Sequence, residues 1–196
     1  MKGVKKMPYP LKKTEPAETM GENALLEANI ESLALGDVNA IGPIYDMTRT
    51  SVYAYCLSLL KNSAEAEDAM HDCYLRIHSS ASLYKPNGKP MAWIITIARN
   101  LCLSRLRELK KHVKLPDEDW HGLLRTDEIS TNLHAADMLN ALGDTERQIV
   151  LLHTISGFKH REIAEIMGLP LATVLTKYSR AIKKLRRMFK EGEGEK

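Results

Sequence analysis

The feature that most constrains this chain is the segment from His160 to Ser179. Three of its residues stand at the spacing that two short helices crossing at a tight turn require. Ala164 is small where the first helix would touch the second, and Val174 fills the space between them. Gly168 falls at the turn, where the backbone needs a positive φ. This spacing predicts a helix-turn-helix motif.

An apolar face supports the motif and is shared with a preceding helix, which we predict to begin at Asp144 or Thr145 and to bury three of its apolar side chains. Pro170 suits the first turn of the second motif helix. The apolar residues are Ile149, Val150 and Leu152 in the preceding helix and Ile163, Met167, Leu169, Tyr178, Ile182 and Leu185 in the motif.

The other face of the second motif helix is polar, and its exposed positions are predicted to be Thr173, Thr176, Lys177 and Arg180. Hydroxyl and cationic groups of this kind reach base edges and phosphates in a major groove. From Gly157 to Lys190 there are nine cationic residues against two glutamates, although the whole chain has a formal net charge of only +3. We therefore predict duplex DNA binding, with a solvated basic helix as the alternative for Lys183–Lys190 alone.

Upstream of the motif, apolar residues recur at three- and four-residue steps, and no segment alternates as a strand does, so we expect an all-α fold. Asn62 with Glu65 predicts a helix N-cap, and Pro90 suits a first turn. Apolar stripes mark the upstream helices: Leu26, Ile30 and Leu33 within 22–35; Ile41, Tyr45, Thr48, Val52, Cys56 and Leu59; Ala66, Met70, Cys73 and Ile77; and a fourth helix from Pro90 to about Lys111.

The pattern predicts two small helical domains joined by a flexible acidic linker. The boundaries are a flexible basic arm over 1–21, a first domain over 22–111, the linker over 112–134, a second domain over 135–190 and a tail over 191–196. The sequence contains neither a signal-peptide pattern nor about 18 consecutive apolar residues, so we expect a cytoplasmic protein that does not insert into a membrane.

The three cysteines, Cys56, Cys73 and Cys102, lie among apolar residues, and we expect buried free thiols. A metal site formed by His71, Cys73 and His78 is excluded because Cys73 points away from the helix face that the two histidines share. No phosphate loop and no nucleophile beside a base is present, so we expect neither a cofactor nor enzymatic activity.

The first domain has two surfaces of opposite charge. The start of the Asn62 helix is acidic, which would repel DNA and predicts either a basic protein partner or no partner at this surface. The segment 85–111, by contrast, has seven cationic residues, among them Arg105, against Glu108 alone. That basic segment also contains Trp93 and Asn100, a mixture that suits locally opened DNA. The alternative for Trp93 is a place in the core. The acidic residues are Glu65, Glu67, Asp68 and Asp72.

In four blocks, the chain resembles a bacterial RNA polymerase sigma factor of the extracytoplasmic-function (ECF) group of the sigma-70 family. The blocks are Val52–Leu57 (VYAYCL), Ala64–Arg76 (AEAEDAMHDCYLR), Ala92–Leu101 (AWIITIARNL) and Gly168–Val174 (GLPLATV). The resemblance covers residues from about 38 to 110 and from 135 to 190.

The resemblance implies that region 2, the first domain, binds core polymerase and melts the −10 element, while region 4, the second domain, reads the −35 element. A flipped −10 base would be held by Asn100 with the 84–91 loop and the basic groups after it. The residues so implied are Asp68, His71 and Asp72 for polymerase; Lys89, Arg99, Asn100, Ser104 and Arg107 for the −10 element; and Lys159, His160, Arg161, Thr173, Thr176, Lys177 and Arg180 for the −35 element.

The resemblance also implies three partners, namely core RNA polymerase, promoter DNA and an anti-sigma factor. Three positions depart from the family pattern: His71 replaces a usual Gln, Ser104 a common Asp and Leu175 a usual Lys. The last of these predicts an unusual −35 element. The alternative function is a stand-alone helix-turn-helix regulator, which would leave the acidic helix and the Trp93–Asn100 block unexplained.

Overall fold

The computed structural model describes residues 16–112, 139 and 141–193, so all but the first residue of the predicted linker lies outside it. Regular structure in the described residues is entirely helical, as predicted. The seven α-helices are α1 (Pro16–Ala34), α2 (Ile41–Leu60), α3 (Ser63–Ser80), α4 (Pro90–His112), α5 (Asp144–Thr154), α6 (His160–Met167) and α7 (Leu171–Glu193). Short 3-10 turns, Val38–Ala40 and Ala81–Leu83, precede α2 and follow α3.

Helix α1 begins at Pro16 rather than at Glu22, so the predicted basic arm includes the first turns of a helix. The end of α1 is where the sequence predicted it. Gly36 adopts φ +101°, and the Asp37 carboxylate then caps the next turn by accepting the Asn39 N–H at 3.0 Å.

The core of the N-terminal domain surrounds α2, which contacts α1, α3 and α4. Residues 52–58 of α2 are all buried, more than the single stripe that the sequence predicted, because helices cover it on several sides. In the first turn Ile44, not Ile41, is fully buried. Thr48 satisfies its buried hydroxyl by donating to the Ile44 carbonyl at 2.6 Å, and it lies 2.9 Å from the Tyr74 hydroxyl.

Helix α3 begins at the predicted cap, where the Asn62 Oδ1 accepts the Glu65 N–H at 3.0 Å. The predicted stripe is confirmed, since Ala66, Cys73 and Ile77 are completely buried and Met70 nearly so. The opposite side of α3 is therefore the side that faces solvent.

The C-terminal domain consists of α5, α6 and α7, with the predicted turn between the last two. Gly168 adopts φ +65° at the end of α6, and the Leu169 N–H then donates to the Ala164 carbonyl at 3.0 Å. Val174 is completely buried, which confirms its predicted place between the helices. Pro170 immediately precedes α7, and its carbonyl accepts the N–H groups of the first turn.

Two histidines form part of the packing of this domain. The rings of His153 and His160 are stacked with centroids 4.6 Å apart, and both meet the ring of Tyr178 edge-on. His153 Nδ1 lies 2.8 Å from the Phe158 carbonyl oxygen, so that nitrogen carries a proton. The buried His160 Nε2 has no hydrogen-bond partner in the structure. Burial, and then the neighbouring His153, lower the pKa of His160.

Gly168→Ala should destabilise the protein by about 1–2 kcal/mol, because a side chain makes the left-handed conformation costly. The measurement is urea unfolding followed by circular dichroism. Gly42→Ala is the matched control, since Gly42 lies in the first turn of α2 with a negative φ and open space around its Cβ position. It should leave the free energy of unfolding unchanged or slightly raised. Equal effects of the two substitutions would contradict the assigned role of Gly168.

The half-buried His160 predicts a pH dependence of stability. Folding lowers the pKa of His160, so the unfolded chain binds more protons, and stability should fall as the pH drops below the unfolded value of about 6.5. Thermal unfolding between about pH 7.5 and about pH 5.5 measures this. His160→Gln should reduce the slope, and an unchanged slope in this variant would contradict the assignment.

Candidate nucleic-acid and protein interfaces

The exposed side of α7 is the first candidate interface. Thr176 and Arg180 are exposed as predicted, whereas Thr173 and Lys177 are half-buried. Thr176 donates its hydroxyl to the Ala172 carbonyl at 2.8 Å, which leaves the oxygen lone pairs for another donor. Two residues outside the predicted exposed set also belong to this surface. Leu175 has 46% of its surface exposed, and Ser179 lies one helical turn beyond it.

The start of α6 adds two exposed cations, Lys159 and Arg161, beside the motif. The backbone N–H of Lys159 is capped by the Glu162 carboxylate at 2.9 Å. His160, between them, has its ring packed against His153 and Tyr178. It is thus directed into the domain and separated from the two cations, because the ring packs better against aromatic neighbours than in solvent.

The second candidate interface is one side of α4. Thr96, Asn100, Ser104 and Arg107 are all exposed. Their spacing of four, four and three residues places them along one face of a helix. Amide, hydroxyl and guanidinium groups thus follow one another along this face, and the exposed Glu108 lies next to Arg107 at its end. Trp93, one turn before this row, is half-buried and its ring centroid lies 5.0 Å from that of Tyr84.

The loop that leads into α4 is fixed by a residue that the sequence analysis did not identify. One oxygen of Glu27 in α1 accepts hydrogen bonds from the Tyr84 hydroxyl at 2.5 Å and from the backbone N–H groups of Asn87 and Gly88 at 3.0 and 3.1 Å. No sequence signal connects residues so far apart in the chain.

The acidic side of α3 is the third candidate interface. Asp68, His71 and Asp72 are exposed on it. Arg105 of α4 binds Glu65, lies 2.8 Å from Asp68 and 3.5 Å from Asp72. Burial alone would lower the pKa of the Arg105 guanidinium, but the Glu65 and Asp68 carboxylates outweigh it and raise that pKa.

Arg105 belongs to the basic segment 85–111 in the sequence, but the structure separates it from the other cations of α4. The side chain crosses to α3 because three carboxylates lie within its reach there. Arg105 therefore holds the acidic residues of α3 against α4, and it is half-buried rather than one of the exposed cations of α4.

The two domains also contact each other, which the sequence did not predict. Helix α2 packs on α5, and Lys61 lies 3.0 Å from the Asp144 carboxylate. Helix α4 meets α6, where the Arg99 guanidinium donates to the Met167 carbonyl at 3.4 Å. Lys89 lies 3.7 Å from two carboxylates of α6, those of Glu162 and Glu165. Two of the cations expected to bind DNA are therefore engaged by α6.

The three cysteines are free and buried, as predicted. Burial raises the pKa of the Cys73 thiol to about 12, so the thiol stays protonated at neutral pH. In residues 16–112, 139 and 141–193, no three His, Cys, Asp or Glu side chains converge to hold a metal ion. Within the same part of the chain, no helix has the length and apolar character needed to cross a bilayer.

Comparison with known proteins places both domains in one family. Residues 44–112 match sigma-70 region 2, and residues 135–185 match sigma-70 region 4. The chain is 26% identical over 183 residues to the ECF RNA polymerase sigma factor SigW of Bacillus subtilis (strain 168), covering 85% of this chain and 98% of that protein. It is 25% identical over 185 residues to SigK of Mycobacterium sp. (strain KMS), covering 88% and 95%.

Among solved structures, the fold resembles the sigma factor RpoE of Bartonella quintana in complex with the anti-sigma factor NepR. The TM-score is 0.64 at 24% identity, over 78% of this chain and 98% of that one. The matched residues extend across both domains and include α3, α4 and the part of α7 that carries the surfaces described above. This chain therefore belongs to the ECF group of the sigma-70 family and is a sigma factor that directs core RNA polymerase to promoters.

Proposed function

We propose that the three interfaces divide promoter recognition among them, with α3 binding core polymerase, α4 and the 84–91 loop holding the opened −10 element, and α7 reading the −35 element. The observation that carries the proposal is the opposite character of the outer sides of α3 and α4, which pack together. Acidic groups line the outer side of α3, and amide, hydroxyl and cationic groups line the outer side of α4, where Glu108 is the exposed carboxylate beside Arg107. A protein partner and a nucleic acid thus have separate surfaces on one domain.

For the −35 element, α7 enters the major groove with Thr176 and Arg180 toward the base edges. Arginine pairs with guanine through two hydrogen bonds, and an apolar group such as Leu175 suits the methyl group of thymine. Lys177 and Thr173, which are half-buried, lie toward the phosphates together with Lys159 and Arg161. His160 contributes by holding the start of α6 rather than by touching DNA.

For the −10 element, Asn100 offers both a donor and an acceptor to the edge of an unstacked base. Ser104 and Arg107 continue along the same face toward the backbone of the single strand. Lys89 and Arg99 join them once α6 has moved away. The loop leading into α4 closes the other side of the base.

For core polymerase, the acidic side of α3 suits a basic surface, with His71 between Asp68 and Asp72. Arg105 neutralises part of this charge and limits the motion of the two aspartates, so they meet a partner in a set arrangement. A site of this kind binds and orients a partner and catalyses no reaction. We therefore propose that the protein acts in the cytoplasm through the partners that it binds.

We also propose that an anti-sigma factor restrains this chain. The support is that the similarly folded RpoE of Bartonella quintana is bound to the anti-sigma factor NepR. Isolation of the chain from its native cells tests this, because a stable complex with a second protein other than polymerase is expected. Recovery with polymerase alone would contradict it.

Substitutions on α7 and on α3 should affect −35 DNA binding and core polymerase binding separately. Arg180→Ala should weaken binding to duplex −35 DNA by about 1–3 kcal/mol and leave core polymerase affinity unchanged. Asp72→Asn should weaken core polymerase binding and leave −35 binding by the free chain unchanged. Fluorescence anisotropy with labelled duplex and with core enzyme measures both.

Arg186→Ala is the control for Arg180→Ala, since it removes the same charge from an exposed position of α7 beyond the motif. It should lower DNA affinity less and with no preference for the −35 sequence. Tight binding to a palindromic duplex without any affinity for core polymerase would favour a stand-alone regulator over this proposal.

The engagement of Lys89 and Arg99 by α6 predicts that the domains separate before promoter binding. Lys61→Cys with Asp144→Cys, joined by a cleavable bismaleimide, should lock the two domains together and abolish promoter-specific transcription. Cleaving the reagent should restore it, and Lys61→Cys alone with the same reagent is the control. The native cysteines are buried and should not react. Full activity of the cross-linked protein would contradict separation.

A further inference from the structure

The loop between Leu83 and Pro90 joins the two parts of the domain that meet DNA and polymerase. Residues 85–89 are all exposed, and Gly88 adopts φ +71°. An exposed segment gains little from burial, so packing alone does not select one conformation for it. Hydrogen bonds from other elements have to do so.

Glu27 supplies these bonds from α1. A single carboxylate oxygen receives three donors, the Tyr84 hydroxyl and the backbone N–H groups of Asn87 and Gly88. Hydrogen bonds to a charged acceptor are roughly twice as strong as those between neutral groups. The Tyr84 hydroxyl, opposed by burial and helped by the two N–H groups, lowers the pKa of Glu27, so the carboxylate stays charged at neutral pH.

The same loop is tied to the start of α4. The Asn87 Oδ1 accepts the Lys89 N–H at 3.0 Å, and the Lys89 carbonyl accepts the Trp93 N–H at 3.3 Å. The rings of Tyr84 and Trp93 pack with centroids 5.0 Å apart. A continuous set of contacts therefore leads from Glu27 through the loop to the helix that carries Asn100.

We infer that Glu27 is a positioning residue for −10 recognition, which holds the 84–89 loop in the one conformation that closes over an unstacked base beside Asn100. The inference rests on the proposed role of this loop in holding the −10 element. It adds α1, which lies outside the residues matched to region 2, to the machinery of base selection.

The physical reason is preorganisation. Without the carboxylate, two backbone N–H groups and one hydroxyl turn to water, and the loop gains conformations that fit several bases equally well. Binding of the −10 base then has to order the loop, which costs free energy that Glu27 otherwise saves. Phosphate contacts carry no sequence information, so we expect the loss in discrimination between bases rather than in contacts to the phosphates.

The test uses the full chain assembled with core polymerase on fork-junction DNA from a promoter identified by in vitro transcription. Affinity is measured for the preferred −10 base and for the three other bases at the same position. Glu27→Ala should reduce this discrimination by roughly tenfold, because the loop loses its three hydrogen bonds to the carboxylate, and leave core polymerase affinity unchanged. Glu27→Gln should recover part of it, since the amide oxygen still accepts.

Glu31→Ala is the matched control, because it removes an exposed carboxylate one turn further along α1. It should leave discrimination at the wild-type level. Tyr84→Phe removes one of the three donors and leaves the two backbone hydrogen bonds in place. It should reduce base discrimination less than Glu27→Ala does, and it provides a second test if Glu27→Ala folds poorly. Hydrogen exchange in the free protein should show the Asn87 and Gly88 amides protected in the wild type and exposed in Glu27→Ala.

Unchanged discrimination in Glu27→Ala and Tyr84→Phe would overturn the inference, as would an equal loss in Glu31→Ala. A parallel loss of core polymerase affinity in Glu27→Ala would also overturn it, because Glu27 would then support the whole domain. If the wild type itself shows no base preference at the −10 position, the proposed role of the loop fails, which is a distinct result.

Discussion

The burial of α2 is the constraint on which the rest of the N-terminal domain depends. An α-helix satisfies its backbone polar groups internally, so it can be enclosed by other helices without leaving them unpaired. Residues 52–58 are buried accordingly, and the Thr48 and Ser58 hydroxyls donate to carbonyls of the same helix. With α2 inside, α3 and α4 lie around it and each keeps one side free for a partner.

Polar contacts between helices then set how those free sides are oriented. Arg105 joins α4 to the carboxylates of α3, and Glu27 joins α1 to the loop before α4. Both are charged groups partly shielded from solvent, where an ion pair or a charge-assisted hydrogen bond is stronger than at an open surface. The two contacts link the proposed polymerase-binding side to the proposed −10-binding side through one helix.

The contact between the domains has a different character. Ile149, Leu152 and Phe158 of the C-terminal domain belong to the same apolar cluster as the residues of α2, and ion pairs lie around it. Exposed ion pairs of this kind contribute at most about 1 kcal/mol each, so the apolar contact is the larger part of the association. Because cations expected to bind DNA also take part, the arrangement of the domains and the availability of the DNA surface are coupled.

Local spacing in the sequence was enough to predict much of this protein. The positive φ of Gly168, the helix N-cap at Asn62 and the buried face from Ala66 to Ile77 were all predicted correctly. Each of them depends only on residues within a few positions in the chain. The fold class and the exposure of Thr176 and Arg180 followed in the same way.

Only the tertiary structure determined which distant groups meet. Arg105 is part of a basic run in the sequence, yet its partners lie on another helix. The resemblance to the family predicted that His160 contacts DNA, yet its ring packs against His153 and Tyr178. Glu27 carries no local signal at all, because its three donors come from a loop some 57 to 61 positions away. Side-chain direction across such distances is set by how helices pack, and no periodicity within a single helix records that.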